Sequence, residues 1–129
     1  MARAKGSPRP CGRDDARARL EDARGFLEVA GLTDNNDVRA ANASLAGIAA
    51  ADAICCLALR ERSADADHTA AVALLRRVDA RAASILARLL DIKTQASYES
   101  RDVTAQRATA AVEQATRLVT VAETRLLQG

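Results

Sequence analysis

The chain has 129 residues, 49% of them hydrophobic but with only Phe26 and Tyr98 aromatic, and carries 19 Lys and Arg against 17 Asp and Glu. That length suits one domain with a real core, and an alanine-rich, aromatic-poor composition favours helices and disfavours sheets. Arg3, Lys5, Arg9 and Arg13 stand unopposed at the start, so the remainder is slightly acidic. This excludes a broad nucleic-acid face built from bulk charge; a basic groove has to be assembled from particular arginines.

The leading segment MARAKGSPRPCGR has no apolar run of the kind a signal peptide needs. Residues 1–13 read as a basic disordered tail, or as a phosphate-contacting arm, and residues 14–129 as a single helical bundle. A first helix is expected from residue 13 or 14 to residue 30, where Ala16, Leu20, Ala23, Leu27 and Ala30 recur at helical spacing. Asp14 and Asp15 suit its N-terminal dipole, Gly31 ends it, and Asp34, Asn35 and Asn36 are candidate caps for the next helix.

That next helix, expected over residues 37–62, organises the rest. Its segment SLAGIAAADAICCLAL is apolar on nearly every side, the mark of a buried helix. The run is about sixteen residues with an acid inside it, too short and too polar for a bilayer span, so no membrane partner is expected. Val38, Ala41, Leu45, Ile48, Asp52, Cys55 and Leu59 share one stripe, which puts a carboxylate on a core-facing line. Burying it costs several kcal/mol unless it is paired or hydrogen-bonded. Lys93 and Tyr98 are the donors expected opposite Asp52, which is either a polar pin fixing helix register or part of a ligand-holding site.

SADAD then breaks the helix and offers Asp65 or Asp67 as a cap. The pattern resumes from His68, falters at Asp79, where a break is expected, and continues through Ile85, Leu86 and Leu89. TQASYESRD loses the apolar spacing, and a last helix is expected over residues 104–127, with Glu113 and Arg117 ordered for an i,i+4 pair. Cys55 and Cys56 point about 100° apart on a helix and read as small core residues in a reducing compartment, hence a cytoplasmic protein; Cys11 is the odd one in the tail. With His68 the only imidazole, His-rich zinc sites are excluded, and no metal or cofactor is expected.

AGIAAADAICC in the second helix, Asp67-His68 at the next helix start, LLDIKTQASYES with its Lys93, Ala96 and Tyr98, and VTAQRATAAVEQATRLV in the last helix together resemble the HEPN superfamily of small bacterial helical proteins. The resemblance covers residues 16–122. It implies an all-α, four- to five-helix up-and-down bundle that dimerises, and either a metal-independent ribonuclease or toxin paired with a nucleotidyltransferase-type antitoxin, or a non-catalytic binding module. The family's catalytic signature, Arg and His separated by four to six residues near the start of the last long helix, is missing here: Lys93 and Tyr98 stand at that place. Arg62 and His68 have the spacing, but in the joint after the second helix, and His68 alone also reads as a surface or cap residue.

Two functions follow. The first is a small homodimeric interaction module, weakly or non-catalytic, that binds RNA, a nucleotide or a protein partner through Asp52, Arg88, Lys93 and Tyr98. The second is a metal-independent endoribonuclease in which His68 is the general acid and base while Arg62 or Lys93 stabilises the phosphorane charge.

Overall fold

The computed structural model describes residues 8–64, 68–98 and 102–128, with side chains described up to residue 92 and again from residue 102. Along the chain run strand β1 (Arg9–Pro10), helices α1 (Arg13–Leu32) and α2 (Asn36–Leu59), strand β2 (Glu61–Arg62), and helices α3 (Thr69–Arg76), α4 (Ala80–Tyr98) and α5 (Ala105–Gln128). The fold is an all-α bundle in which α1, α3, α4 and α5 pack round α2. By length and apolar composition α2 qualifies as a bilayer-crossing helix, contrary to the shorter run read from the sequence, but 72% of its most apolar stretch is buried by protein.

Alanine decides how closely these helices approach. Ala43, Ala46, Ala49, Ala50 and Ala53 of α2 are fully buried and meet Ala16, Leu20 and Ala23 of α1 and Ala111, Ala115 and Leu118 of α5 in one core. The closest approach is at Gly47, where an added Cβ would lie 2.6 Å from Leu89 Cδ1 and 3.4 Å from Leu118 Cδ1. Ser44, also buried, donates its hydroxyl to the Leu89 carbonyl at 3.4 Å, satisfying its one donor inside the core.

The helix ends have local causes. Asn35 accepts from the Val38 amide at 3.1 Å and caps α2. Asp79 accepts from the Ala82 amide at 3.0 Å and starts α4, which separates α3 from α4 as its sequence position suggests. Thr104 does the same for α5 through the Arg107 amide at 3.1 Å. Asp65 and Asp67 lie outside the described residues, and His68 occupies the N-cap position of α3.

Several expectations are corrected. Helix α2 stops at Leu59 rather than running to residue 62, because Arg60 turns into the left-handed region (φ 60°, ψ 24°) and returns its N–H to the Cys56 carbonyl. The α2 stripe is not core-facing throughout: Val38 and Leu45 are each 38% exposed, while Ile48, Asp52 and Cys55 are buried. Helix α4 continues through Tyr98 despite the lost apolar spacing. Glu113 and Arg117 are both exposed and form no ion pair.

The largest departure is at the N-terminus. Arg9 and Pro10, within the segment expected to be disordered, pair antiparallel with Arg62 and Glu61, and Cys11 is disulfide-bonded to Cys56 across 45 residues of sequence. Closing a loop of that length stabilises by about 4 kcal/mol in the chain-entropy account. Cys55 alone remains a thiol, buried. The inference to a reducing compartment rested on unpaired cysteines, and the bridge removes that support.

Two glycines test the packing account by thermal denaturation. Gly47→Val should lower stability by about 2–3 kcal/mol through overpacking against Leu89. Gly25→Ala, on α1 with nothing within 4 Å of the added Cβ, should raise it by about 0.5–1 kcal/mol through helix propensity.

Candidate functional site

Where α2 passes between α1 and the start of α3, Asp52 forms the floor of a cleft of about 280 Å³ whose walls include Arg9, Arg19, Ile48, Arg62 and His68. Five segments deliver these groups. Arg19 projects from α1, lying between Ala16 and Ala23 at the edge of that helix's buried stripe; Ile48 and Asp52 come from α2, and His68 from the N-cap of α3. Arg62 is placed by β2, and Arg9 by β1, directly across the ladder from it.

Asp52 is 7% exposed. The Arg19 guanidinium reaches its Oδ2 with Nε at 3.1 Å and Nη2 at 3.0 Å, and Arg62 Nη1 stands 3.6 Å from the same oxygen. Arg19 also donates to Asp22 at 3.0 Å, which fixes its orientation from the solvent side. Burial raises the Asp52 pKa above its ordinary 3.8, and the positive charges of Arg19, Arg62 and His68 oppose that shift without cancelling it. Desolvation therefore outweighs pairing. The same burial, with the Asp52 charge next along α2, pushes the Cys55 thiol up to about 12, leaving it a poor nucleophile.

Arg9 and Arg62 are opposite partners on adjacent strands, an arrangement of like charges that is unfavourable unless an anion lies between them. Among the described residues of the cleft lining, three guanidiniums and an imidazole face one carboxylate, and Arg19 and Arg62 keep 25% and 34% of their side-chain surface accessible. The cleft is a basic, partly dehydrated pocket with fork-shaped donors, the geometry that recognises phosphate or carboxylate. Among the described residues no three His, Cys, Asp or Glu side chains cluster as a metal site would require.

Of the residues read from the sequence, Asp52, Arg62 and His68 come together here. Arg19 and Arg62 meet the Asp52 charge, while the side chains of Lys93 and Tyr98, the donors expected from the sequence, lie outside the described residues. Arg88 is exposed on α4 and does not line the cleft. Sequence reasoning missed Arg19, whose signal was a lone arginine at helical spacing from two buried alanines, and Arg9, which nothing local distinguishes from its basic neighbours. Compared with known proteins, the chain matches no family model, no curated protein sequence and no solved structure.

Asp52 gives a pH test with a defined sign. A carboxyl whose folded-state pKa is raised holds its proton more tightly in the folded than in the unfolded chain, so its ionisation works against folding. The penalty is absent below about pH 3.8 and grows as pH rises through the folded value. Asp52→Asn keeps the shape and an acceptor oxygen, so its melting temperature should gain on the wild type as pH rises from 3 to 7. Asp52→Ala should instead cost about 1 kcal/mol at neutral pH, the low end for an abandoned partner, because Arg19 can still reach water.

Proposed function

We propose that this protein is a small HEPN-like interaction module that binds a phosphate-bearing ligand, a nucleotide or an RNA backbone, in the Asp52 cleft without strong catalysis. The observation that carries this reading is the excess of cationic groups among the described residues of the cleft, above all Arg9 and Arg62 set opposite each other across a two-residue ladder. The buried carboxylate tempers the site: it holds Arg19 and Arg62 in place while reducing the net positive charge an anion meets. The long buried second helix and the Thr-capped amphipathic last helix agree with the HEPN-like assignment.

A dimer belongs to the same reading. Val38, Ala41 and Leu45 leave an accessible apolar line on α2 that leads directly into Ile48 and Asp52 of the cleft. A second copy laid along it would cover that line and set two clefts near each other. A nucleotidyltransferase-type protein is the heterologous partner that the family resemblance brings with it.

A second reading, metal-independent RNA cleavage, is favoured by one observation: Arg62 and His68 line the same cleft. His68 would move protons to and from the ribose and leaving oxygens while Arg62 stabilises the equatorial charge.

Pyrophosphate and a short single-stranded RNA, titrated calorimetrically, should bind saturably and more weakly as salt rises. Arg62→Ala should weaken binding by about tenfold or more, as expected for loss of a charged hydrogen bond, and Asp52→Asn should strengthen it. Absence of saturable binding would overturn the reading, and chelator-resistant RNA cleavage lost in His68→Ala would replace it with the enzyme. Sedimentation should report a dimer at micromolar concentration that Leu45→Glu converts to a monomer.

A further inference from the structure

Resting on that reading of the cleft, we infer that the Cys11–Cys56 disulfide is a redox clamp that delivers Arg9 to the anion site, so that reduction by a dithiol releases the N-terminal strap and weakens the site. Three attachments hold residues 9–11 in place. They are the two-residue pairing with β2, the Cys11 N–H donated to the Arg60 carbonyl at 3.0 Å, and the covalent bridge to the last turn of α2. A ladder of two residues is far below the length at which strand pairing persists unaided, so the bridge supplies most of the restraint.

The clamp acts on the cleft from both sides. Arg9 is carried by the strap itself, and Arg62, its partner across the ladder, sits three residues beyond the left-handed Arg60's neighbour Leu59, on the short exit from α2 that the strap pins. Arg60 lies in the left-handed region at φ 60°. Its conformation is unfavourable for a residue with a Cβ and persists because the Cys56 carbonyl and the Cys11 amide hold both of its backbone polar groups. Breaking the bridge therefore loosens the segment that aims Arg62 as well as the one that carries Arg9.

The bridge is approachable through Cys11, since Cys56, one turn beyond Asp52 on α2, is fully buried. Cys56 forms part of the wall of a separate cavity of about 260 Å³ with Arg13, Arg60 and Arg125, and Cys11 is only half-buried. Guanidiniums lining the same cavity as Cys56 favour a leaving thiolate there. A dithiol reductant balances the step: one of its thiolates attacks the Cys11 sulfur and expels the Cys56 thiolate, and its second thiolate attacks the reductant's own sulfur in that mixed disulfide and expels the Cys11 thiolate. The reductant leaves as an internal disulfide, and its two thiol protons end on Cys11 and Cys56. Cys55, with its thiol pushed up to about 12 and its side chain buried, does not enter the exchange.

The test compares oxidised and dithiothreitol-reduced protein, with Cys11→Ser as a permanently open clamp and circular dichroism to verify retained helix. Hydrogen exchange reads the strap directly: the Cys11 amide should be protected when oxidised and lose protection on reduction or in Cys11→Ser. Pyrophosphate affinity should fall by about five- to tenfold on reduction, the order expected when a donor loses its preorganisation, and Arg9→Ala in the oxidised protein should fall by a similar factor. Reduction of Arg9→Ala should then add a smaller loss than reduction of the wild type, the part that comes from loosening Arg62. Unchanged protection and unchanged affinity on reduction would overturn the clamp, as would an equal further loss in reduced Arg9→Ala. If oxidised protein binds no pyrophosphate, the phosphate reading of the cleft fails, and with it the regulation of binding, while amide protection still decides whether the bridge restrains the strap.

Discussion

A carboxylate buried in the middle of the most apolar helix is the constraint that the rest of this molecule answers. Asp52 sits on α2 between Ala51 and Ala53, both 1% exposed, and its charge is met by two arginines from different parts of the chain, Arg19 of α1 and Arg62 of β2. Its raised pKa says that desolvation outweighs this pairing. A buried ion pair that does not return its desolvation cost is weak as a source of stability. Its value lies in position, since one oxygen aligns two guanidiniums at the mouth of a cleft.

Around that pair the molecule has two mechanical characters. The bundle interior is close-packed alanine, leucine and glycine, in which Gly47 meets Leu89 and Leu118 with no room for a methyl group. The corner where β1 meets β2 depends instead on two paired residues, one backbone hydrogen bond and a disulfide. The cleft spans both, with Asp52 and Arg19 on the rigid helices and Arg9 and Arg62 on the corner. In the reading proposed above, the helices fix where an anion would sit and the corner governs how many guanidiniums reach it.

Much of the helical plan was legible in the residues. The apolar spacing of Ala16, Leu20 and Ala23, the capping side chains Asn35, Asp79 and Thr104, and the all-round apolar α2 are local signals, and helix formation is governed by local propensity and periodicity. The same reasoning placed Asp52 in the interior and required it to have a partner, because the energetic cost of a buried charge holds whatever the fold. It also kept Arg62 and His68 in view through their spacing, although that spacing alone did not bring them to the carboxylate.

The identity of the partners was decided only in three dimensions. Arg19 lies 33 positions from Asp52, and no periodicity on α1 says which part of α2 it will face; that depends on the crossing of two helices set by alanine contacts along both. The Cys11–Cys56 bridge joins residues 45 apart, and bonding depends on the separation of the two Cα atoms in space, 5.3 Å here, which sequence distance does not report. Arg60 needed only one left-handed residue to end α2 before residue 62, and an arginine carries no local preference for that conformation as a glycine would. The sequence by itself therefore determined an all-helical chain with a charge buried on its central helix, because both follow from short-range pattern and the cost of desolvation. Tertiary structure alone decided which cations meet that charge and how a basic N-terminal segment is fastened beside it, because both depend on where distant segments cross.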